Sequence, residues 1–308
     1  MKNQEKCPKV SVCVVTYNQE KYIHQCLQSI VDQQTSFDFE VIVSDDCSTD
    51  GTDLIIKDFF KKYPNLIRPI FHEKNIGPYE NYIFVHGLAT GEYIAHIDGD
   101  DFAFPSKLEV QTKFLDENKM HVVVWHRMET FNDKGTLRSI GFQRLEEVVD
   151  VMNIKQEDLL RFGTLGFHSS IMYRSSCRFS KNESVDKFLD YYAAVGFLDH
   201  GKAANLSQVL GGYRFNLSQS TVSKKIFMGI SFSSVRILYL SHLIFFLKKY
   251  PNFRGAIFAN SLFNAMADLS RFRPTVFGFL FLAVRSFCLN EILHFRSHVS
   301  KILKLKLF

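Results

Sequence analysis

Apolar residues in this chain come first in short continuous runs and later in long periodic ones. Val10 to Thr16 (VSVCVVT) is a β-branched run that predicts a buried parallel strand. Gln19 to Gln33 places Ile23, Leu27, Ile30 and Val31 at helical spacing, which predicts an amphipathic helix. Phe39 to Ser44 and Ile67 to His72 predict two more strands, separated by a helix with Leu54, Ile55, Phe59 and Phe60 on its apolar face. A turn at Asn75-Ile76-Gly77-Pro78 leads to a helix over Asn81 to Ala89 and a fourth strand over Glu92 to Ile97. Pro105 opens a helix over Ser106 to Asn118, and Val122 to Trp125 is a further strand. Strand and helix alternating through short connections predict an α/β fold, a mostly parallel sheet with helices on both faces. From about Ile226 the pattern becomes purely helical, over Ser231 to Lys248, Phe253 to Phe272 and Phe277 to Lys306. The breaks fall at Tyr250-Pro251 and Arg273-Pro274, and the last segment sets Leu289, Ile292, Phe295, Val299, Ile302 and Leu303 opposite His294, His298, Lys301 and Lys304.

Polar clusters close three of the strands: Thr16-Tyr17-Asn18, Asp45-Asp46 and Asp98-Gly99-Asp100-Asp101. Charge is rarely left unpaired in a core, and open α/β sheets bind ligands at the carboxyl ends of their strands. The clusters therefore predict one cleft in which a hard cation and a phosphate can meet. No GxGxxG follows the first strand and no GxxxxGK[ST] occurs, which argues against a dinucleotide enzyme and a P-loop NTPase.

With 46% hydrophobic and 22% charged residues over 308 positions, the chain has the composition of a folded globular protein. Its net charge of +5 is polarised: the segment from Ser220 onward carries +11 and the part before it −6. The acidic part holds the candidate chemistry. The basic, Phe-rich part suggests an anionic partner such as a membrane surface or lipid phosphate, or else a helical subdomain packed on the enzyme or on another subunit. No nucleic-acid motif accompanies the charge. The six cysteines form no CxxC pair, which fits buried thiols in a reducing compartment. The polar start, Met1 to Lys6, has no apolar leader core, and no apolar run reaches the length of a spanning helix. A cytoplasmic protein, peripheral at the inner face of the membrane, is expected.

The run from Pro8 to Gln33, then FEVIVSDDCSTDGT, NIGPYENY and GEYIAHIDGDD followed by FAFPSKLEVQ, resembles the N-terminal half of a family 2 glycosyltransferase of the surface-polysaccharide type. The four motifs lie in the family's order over residues 8 to 118. The later chain is looser: Gly166 to Arg174 resembles an acceptor-side strand, and Gly211 to Asn216 resembles a Tyr-Arg-x-His segment in which Asn216 replaces the His. The resemblance implies a GT-A fold over 1–220, with a nucleotide-sugar half at 8–118 and an acceptor half at 119–220, followed by a helical tail at 221–308.

A sugar-nucleotide donor needs a flat face for its base, which Tyr17 can supply, and an acceptor for an imide N–H, which Asp45 or Asp46 can supply. By resemblance one of that pair contacts uracil. Thr16 and Asn18 complete the first strand end, and Asn75 and Asn81 flank the turn at the same edge. Asp98 and Asp100 can hold Mn²⁺ or Mg²⁺ under the diphosphate, with Gly99 between them and Asp101 in support. Arg214 can meet the diphosphate. Transfer to a hydroxyl needs a base, and in the family an acidic residue at the place of Asp190 serves; Asp186 is the alternative. His168 can line the acceptor side or be structural. The implied activity is metal-dependent, inverting transfer of a sugar, UDP-linked by expectation, to a glycan or lipid-linked glycan. Two rivals remain: a nucleotidyltransferase, and a non-catalytic module that binds a nucleotide sugar or glycan.

Overall fold

The computed structural model describes residues 7–132, 136–178, 190–215, 232–269 and 275–286, with positions 299 and 301. Asp186, Asn216 and most of the segment after Ser286 lie outside the described residues.

The first half alternates as its pattern dictates: β1 (Val10–Thr16), α1 (Ile23–Val31), β2 (Phe39–Asp45), α2 (Thr52–Lys62), β3 (Ile67–Phe71), α3 (Pro78–Gly87) and β4 (Tyr93–Asp98). A short β5 (Phe102–Ala103) precedes α4 (Lys107–Glu117), β6 (His121–Phe131) and β7 (Leu137–Ile140). Then come α5 (Gln156–Phe162), a single turn over His168–Ser170, β8 (Met172–Arg174), α6 (Asp190–Phe197) and β9 (Lys202–Arg214). The sheet order is β3-β2-β1-β4-β8-β6-β9-β5, with β7 beside β6. β1 to β4 run parallel, β8 is antiparallel to β4 and β6, and β6 and β9 are parallel.

Both faces of β1 are buried, which is why its sequence is a continuous apolar run instead of an alternating one. Val10, Val12 and Val14 pack with Ile23, Leu27, Ile56, Phe59, Leu108 and Leu115 from α1, α2 and α4. Cys13 faces the other way, into a core with Val85 of α3, Leu159 and Leu160 of α5 and Tyr191 and Tyr192 of α6.

Element bounds differ from the sequence reading at informative places. Helix α1 starts at Ile23, and ahead of it the backbone N–H groups of Gln19 and Glu20 are accepted by Thr52 Oγ1 (2.9 Å) and Asp50 Oδ2 (3.2 Å). Residues 19–22 stay a turn. Strand β6 runs on to Phe131 instead of stopping at Trp125, since past His126 burial alternates as the strand leaves the core and pairs with β7. Helix α6 is described from Asp190, whose Oδ1 accepts the N–H of Tyr191 (2.9 Å).

The tail forms α7 (Phe232–Lys249), α8 (Arg254–Leu269) and α9 (Val276–Arg285). It shares the second core: Leu243, Phe246, Ile257 and Phe279 cluster with Tyr191 and Tyr192. The Asn260 amide donates to Leu160 O at 2.8 Å, and Tyr192 stacks on Phe246 with ring centroids 5.3 Å apart. Of the expected third helix, α9 covers Val276–Arg285, and the Ser286 N–H donates to Leu282 O (2.9 Å) at its end.

Candidate active site

Parallel register brings the strand ends together. Thr16 pairs with Asp45 and Val15 with Asp98, so the polar ends of β1, β2 and β4 lie side by side at one edge of the sheet. Tyr17 sits 44% exposed at that edge. Asn18 has a left-handed φ of 54°, and its Oδ1 accepts the N–H of Thr49 (2.7 Å), tying the first strand end to the loop after β2.

The two acids after β2 are alike in sequence and differ in place. Both oxygens of Asp46 are engaged, by the N–H groups of Ile76 (2.7 Å) and Gly77 (2.9 Å). The Asn75 amide reinforces the same turn by donating to Asp46 O (3.1 Å). Asp45 accepts from the Ser48 hydroxyl and, at 3.3 Å, from its N–H. Burial raises the Asp45 pKa, with the Ser48 bonds opposing. Asn81 is buried, donates to Ser44 O (3.1 Å) and accepts from the Ser44 hydroxyl (2.5 Å). It fastens α3 to β2.

The acidic loop after β4 is tightly held. Gly99 N–H donates to Val15 O (2.9 Å) and Asp101 N–H to Asp98 O (2.9 Å). Gly99 is needed for space: a Cβ there would lie 2.4 Å from Gln19 Oε1 and 2.9 Å from Thr16 Cβ. Arg214, ending β9, clamps the loop. Its N–H donates to Asp101 Oδ1 (2.7 Å) and its Nε to Asp100 O (3.1 Å), while its guanidinium lies 4.4 Å over the Tyr22 ring. Lys107, also buried, donates to Ser169 O (2.7 Å) beneath this loop. Burial pushes its pKa down to about 7, against the pull of Cys26 and Asp101.

Asp98 has neighbours that strand-end logic did not name. His96 Nε2 lies 3.1 Å from its Oδ1, and His168 Nδ1 3.8 Å from its Oδ2. Ser169 Oγ accepts the Asp98 N–H at 3.0 Å. Burial works to raise the Asp98 pKa, but the neighbouring imidazoles of His168 and His96 hold it well below the carboxylate range. Asp100 goes the other way. Burial and then the Asp98 charge push it up to about 7. Asp101 is raised by burial and by the charges of Asp100 and Asp98. Carboxylates crowded enough to resist ionising together are suited to a divalent cation. The residues present thus fit Mn²⁺ or Mg²⁺.

Asp190, the first described residue of α6, is exposed. Burial acts to lower the His168 pKa, but the Asp98 carboxylate and the charge of Asp190 raise it. Asp190 acts likewise on Tyr213 and Tyr82. The sequence reading missed Gln19, Lys107, Ser169 and His96. His96 had a signal, for it lies two residues before Asp98 on a strand and so shares its face.

A family model described as glycosyl transferase family 2 matches residues 11–180. An uncharacterized protein of Mycobacterium tuberculosis is 33% identical over 206 residues, 67% of this chain and 58% of its own length. The chain thus spans less than two thirds of that relative. The putative glycosyltransferase EpsE of Bacillus subtilis is 33% identical over 60% of this chain and 67% of its own length. Among solved structures, residues 1–349 of TarS of Staphylococcus aureus with UDP-GlcNAc match with TM-score 0.60 at 20% identity, covering 96% of this chain and 89% of that one. A mannosyltransferase of Pyrobaculum calidifontis with GDP-Man and Mn²⁺ matches with TM-score 0.53 at 18% identity, over 98% and 86% of the two chains. These likenesses carry the fold.

Proposed function

The chain belongs to glycosyl transferase family 2 and is a glycosyltransferase, and we propose that it inverts the anomeric centre of a UDP-linked sugar as it moves it to a surface-glycan acceptor. The observation that carries this reading is the register that sets Tyr17, Asp45 and the Asp98–Asp101 loop at one sheet edge. Each group suits a different part of one donor. The Tyr17 face stacks the base, and Asp45, buried but not committed to the Asn75 turn, accepts the uracil N–H.

Asp98 and Asp100 would hold a divalent cation, which supplies charge neutralisation to a departing diphosphate. Arg214 fixes the loop that carries them and lends positive charge beside Asp100. Asp190 takes the proton of the acceptor hydroxyl as that oxygen attacks the anomeric carbon from the face opposite the diphosphate. The family's TarS relative is named as adding N-acetylglucosamine to poly(ribitol phosphate), and a solved form holds UDP-GlcNAc, which supports a UDP-linked donor here.

A lipid-linked acceptor is part of the proposal. No helix among the described residues is long and apolar enough to cross a membrane. Yet Leu269, Phe277, Phe281 and Val284 are each at least 60% exposed at the end of α8 and along α9, with Arg285 beside Phe281. Apolar side chains with basic neighbours suit an anionic bilayer surface.

Thermal-shift and calorimetric screening of UDP-, GDP- and CDP-linked sugars with Mn²⁺ tests the donor. The expected result is stabilisation by UDP and its sugars that weakens on chelation. Binding of only GDP- or CDP-linked sugars would overturn the base assignment.

A further inference from the structure

We propose that His96, Asp98 and His168 form a cation site that fills without any nucleotide and that takes Mn²⁺, Co²⁺ or Zn²⁺ in preference to Mg²⁺. The inference deepens the reading above and shares only Asp98 with it. Asp100 lies outside this group.

The geometry comes first. One ligand atom from each of the three side chains lies within 4.8 Å of the others. His96 Nε2 and Asp98 Oδ1 are 3.1 Å apart, and His168 Nδ1 and Asp98 Oδ2 are 3.8 Å apart. An octahedral ion with bonds of about 2.1 Å sets neighbouring ligand atoms about 3 Å apart, so a slight contraction around Asp98 closes the set.

The second argument is how His96 is held. Its other nitrogen, Nδ1, lies 2.9 Å from His86 Nε2, and His86 Nδ1 lies 2.6 Å from the Tyr173 hydroxyl. Both histidines are buried, and Tyr82 stacks on the His86 ring with centroids 3.9 Å apart. Metal-bound imidazoles are oriented this way, with the far nitrogen donating to a fixed partner. If His96 donates from Nδ1 to His86, then His86 donates from its own Nδ1 to the Tyr173 oxygen. His96 Nε2 then presents a lone pair to the Asp98 carboxylate at 3.1 Å. Two acceptors so close need a cation between them. In the reversed chain, His96 donates from Nε2 to Asp98 and no cation is required. A bound ion selects the first arrangement.

Ligand chemistry sets the preference. Mg²⁺ favours oxygen ligands and keeps its water, whereas imidazole suits borderline transition ions. A cleft built of carboxylates alone would show no such bias.

The test uses the whole chain without nucleotide. Mn²⁺ is titrated by electron paramagnetic resonance, Co²⁺ by its visible absorption, and pulsed resonance of bound Mn²⁺ reads imidazole nitrogen directly. His168 is partly exposed, so H168Q should fold, which its unfolding temperature will confirm. We expect one ion per chain, an imidazole nitrogen signal, displacement by Mg²⁺ only at tenfold excess or more, and a tenfold or greater loss of affinity in H168Q. An ion that binds only with UDP, that shows no nitrogen coupling, or that H168Q holds as tightly as wild type would overturn the inference and leave the donor reading in place. UDP failing to bind while Mn²⁺ still shows nitrogen coupling would sink the donor reading and keep this site.

Discussion

Asp100→Asn separates charge crowding from simple packing in the acidic loop. Without a cation, burial and the Asp98 charge hold the Asp100 carboxyl at about 7, against 3.8 for the ordinary group. A carboxyl whose folded pKa is raised contributes most stability when protonated in both states, below about 3.8. That contribution falls as pH rises and is gone above about 7. At about 1.4 kcal/mol per pH unit the interval gives a ceiling of about 4 kcal/mol. The carboxylate lies at a cleft that water reaches, so about 1–2 kcal/mol is the expected loss. Asparagine cannot ionise and escapes it. D100N should match wild type near pH 4 and exceed it at pH 8 by about 1–2 kcal/mol, a few degrees in unfolding temperature. Scanning calorimetry with chelator across that range reads the difference, and saturating Mn²⁺ should close it. A variant whose advantage does not grow with pH would refute the crowding argument.

Other substitutions probe the remaining supports. Gly99→Ala drives a Cβ against Thr16 on the rigid strand β1 and should lose about 1–3 kcal/mol together with cation affinity; unchanged unfolding and unchanged Mn²⁺ titration would contradict the close fit. Asp46→Ala strands the N–H groups of Ile76 and Gly77 and should destabilise by about 2–3 kcal/mol in urea unfolding. Asp45→Ala should cost less stability and more UDP affinity; the reverse ranking would exchange their roles. The double variant F277S/F281S should leave anionic vesicles that wild type joins at low salt, as read by co-sedimentation. A wild type that stays off the vesicles and sediments as a dimer would assign that face to a second copy of the chain.

Much of the fold was legible because strands buried on both faces write themselves as β-branched runs, as Val10 to Thr16 does. The strand-end clusters were legible for a related reason, since an apolar run closing on Asp98 must deliver its charge to a cleft. What escaped depends on partners far along the chain. Asp45 and Asp46 are equivalent as letters, and only the turn at Ile76 and Gly77, thirty positions on, tells them apart. The turn before helix α1 is tied to Asp50 and Thr52, thirty positions on, which no local pattern shows. His96 inside an apolar strand reads as core until His86 and Asp98 are seen on either side of it. The tail's apolar stripes left open whether it packs on the enzyme, on another subunit or on a membrane, and only the structure shows α7 and α8 sharing a core with α5 and α6.

The central claim is that Asp190 takes the acceptor's proton in a cleft that binds a nucleotide sugar by other residues. The direct measurement is nucleotide release and donor affinity, side by side, for wild type and D190N with the donor the screen identifies and a glycan acceptor. Asp190 is exposed, so the variant should fold as wild type does. The account predicts a loss of transfer of about 10²–10⁴-fold, the usual worth of a general base, with donor affinity unchanged. Undiminished transfer in D190N, or release of pyrophosphate in place of nucleoside diphosphate, would contradict it.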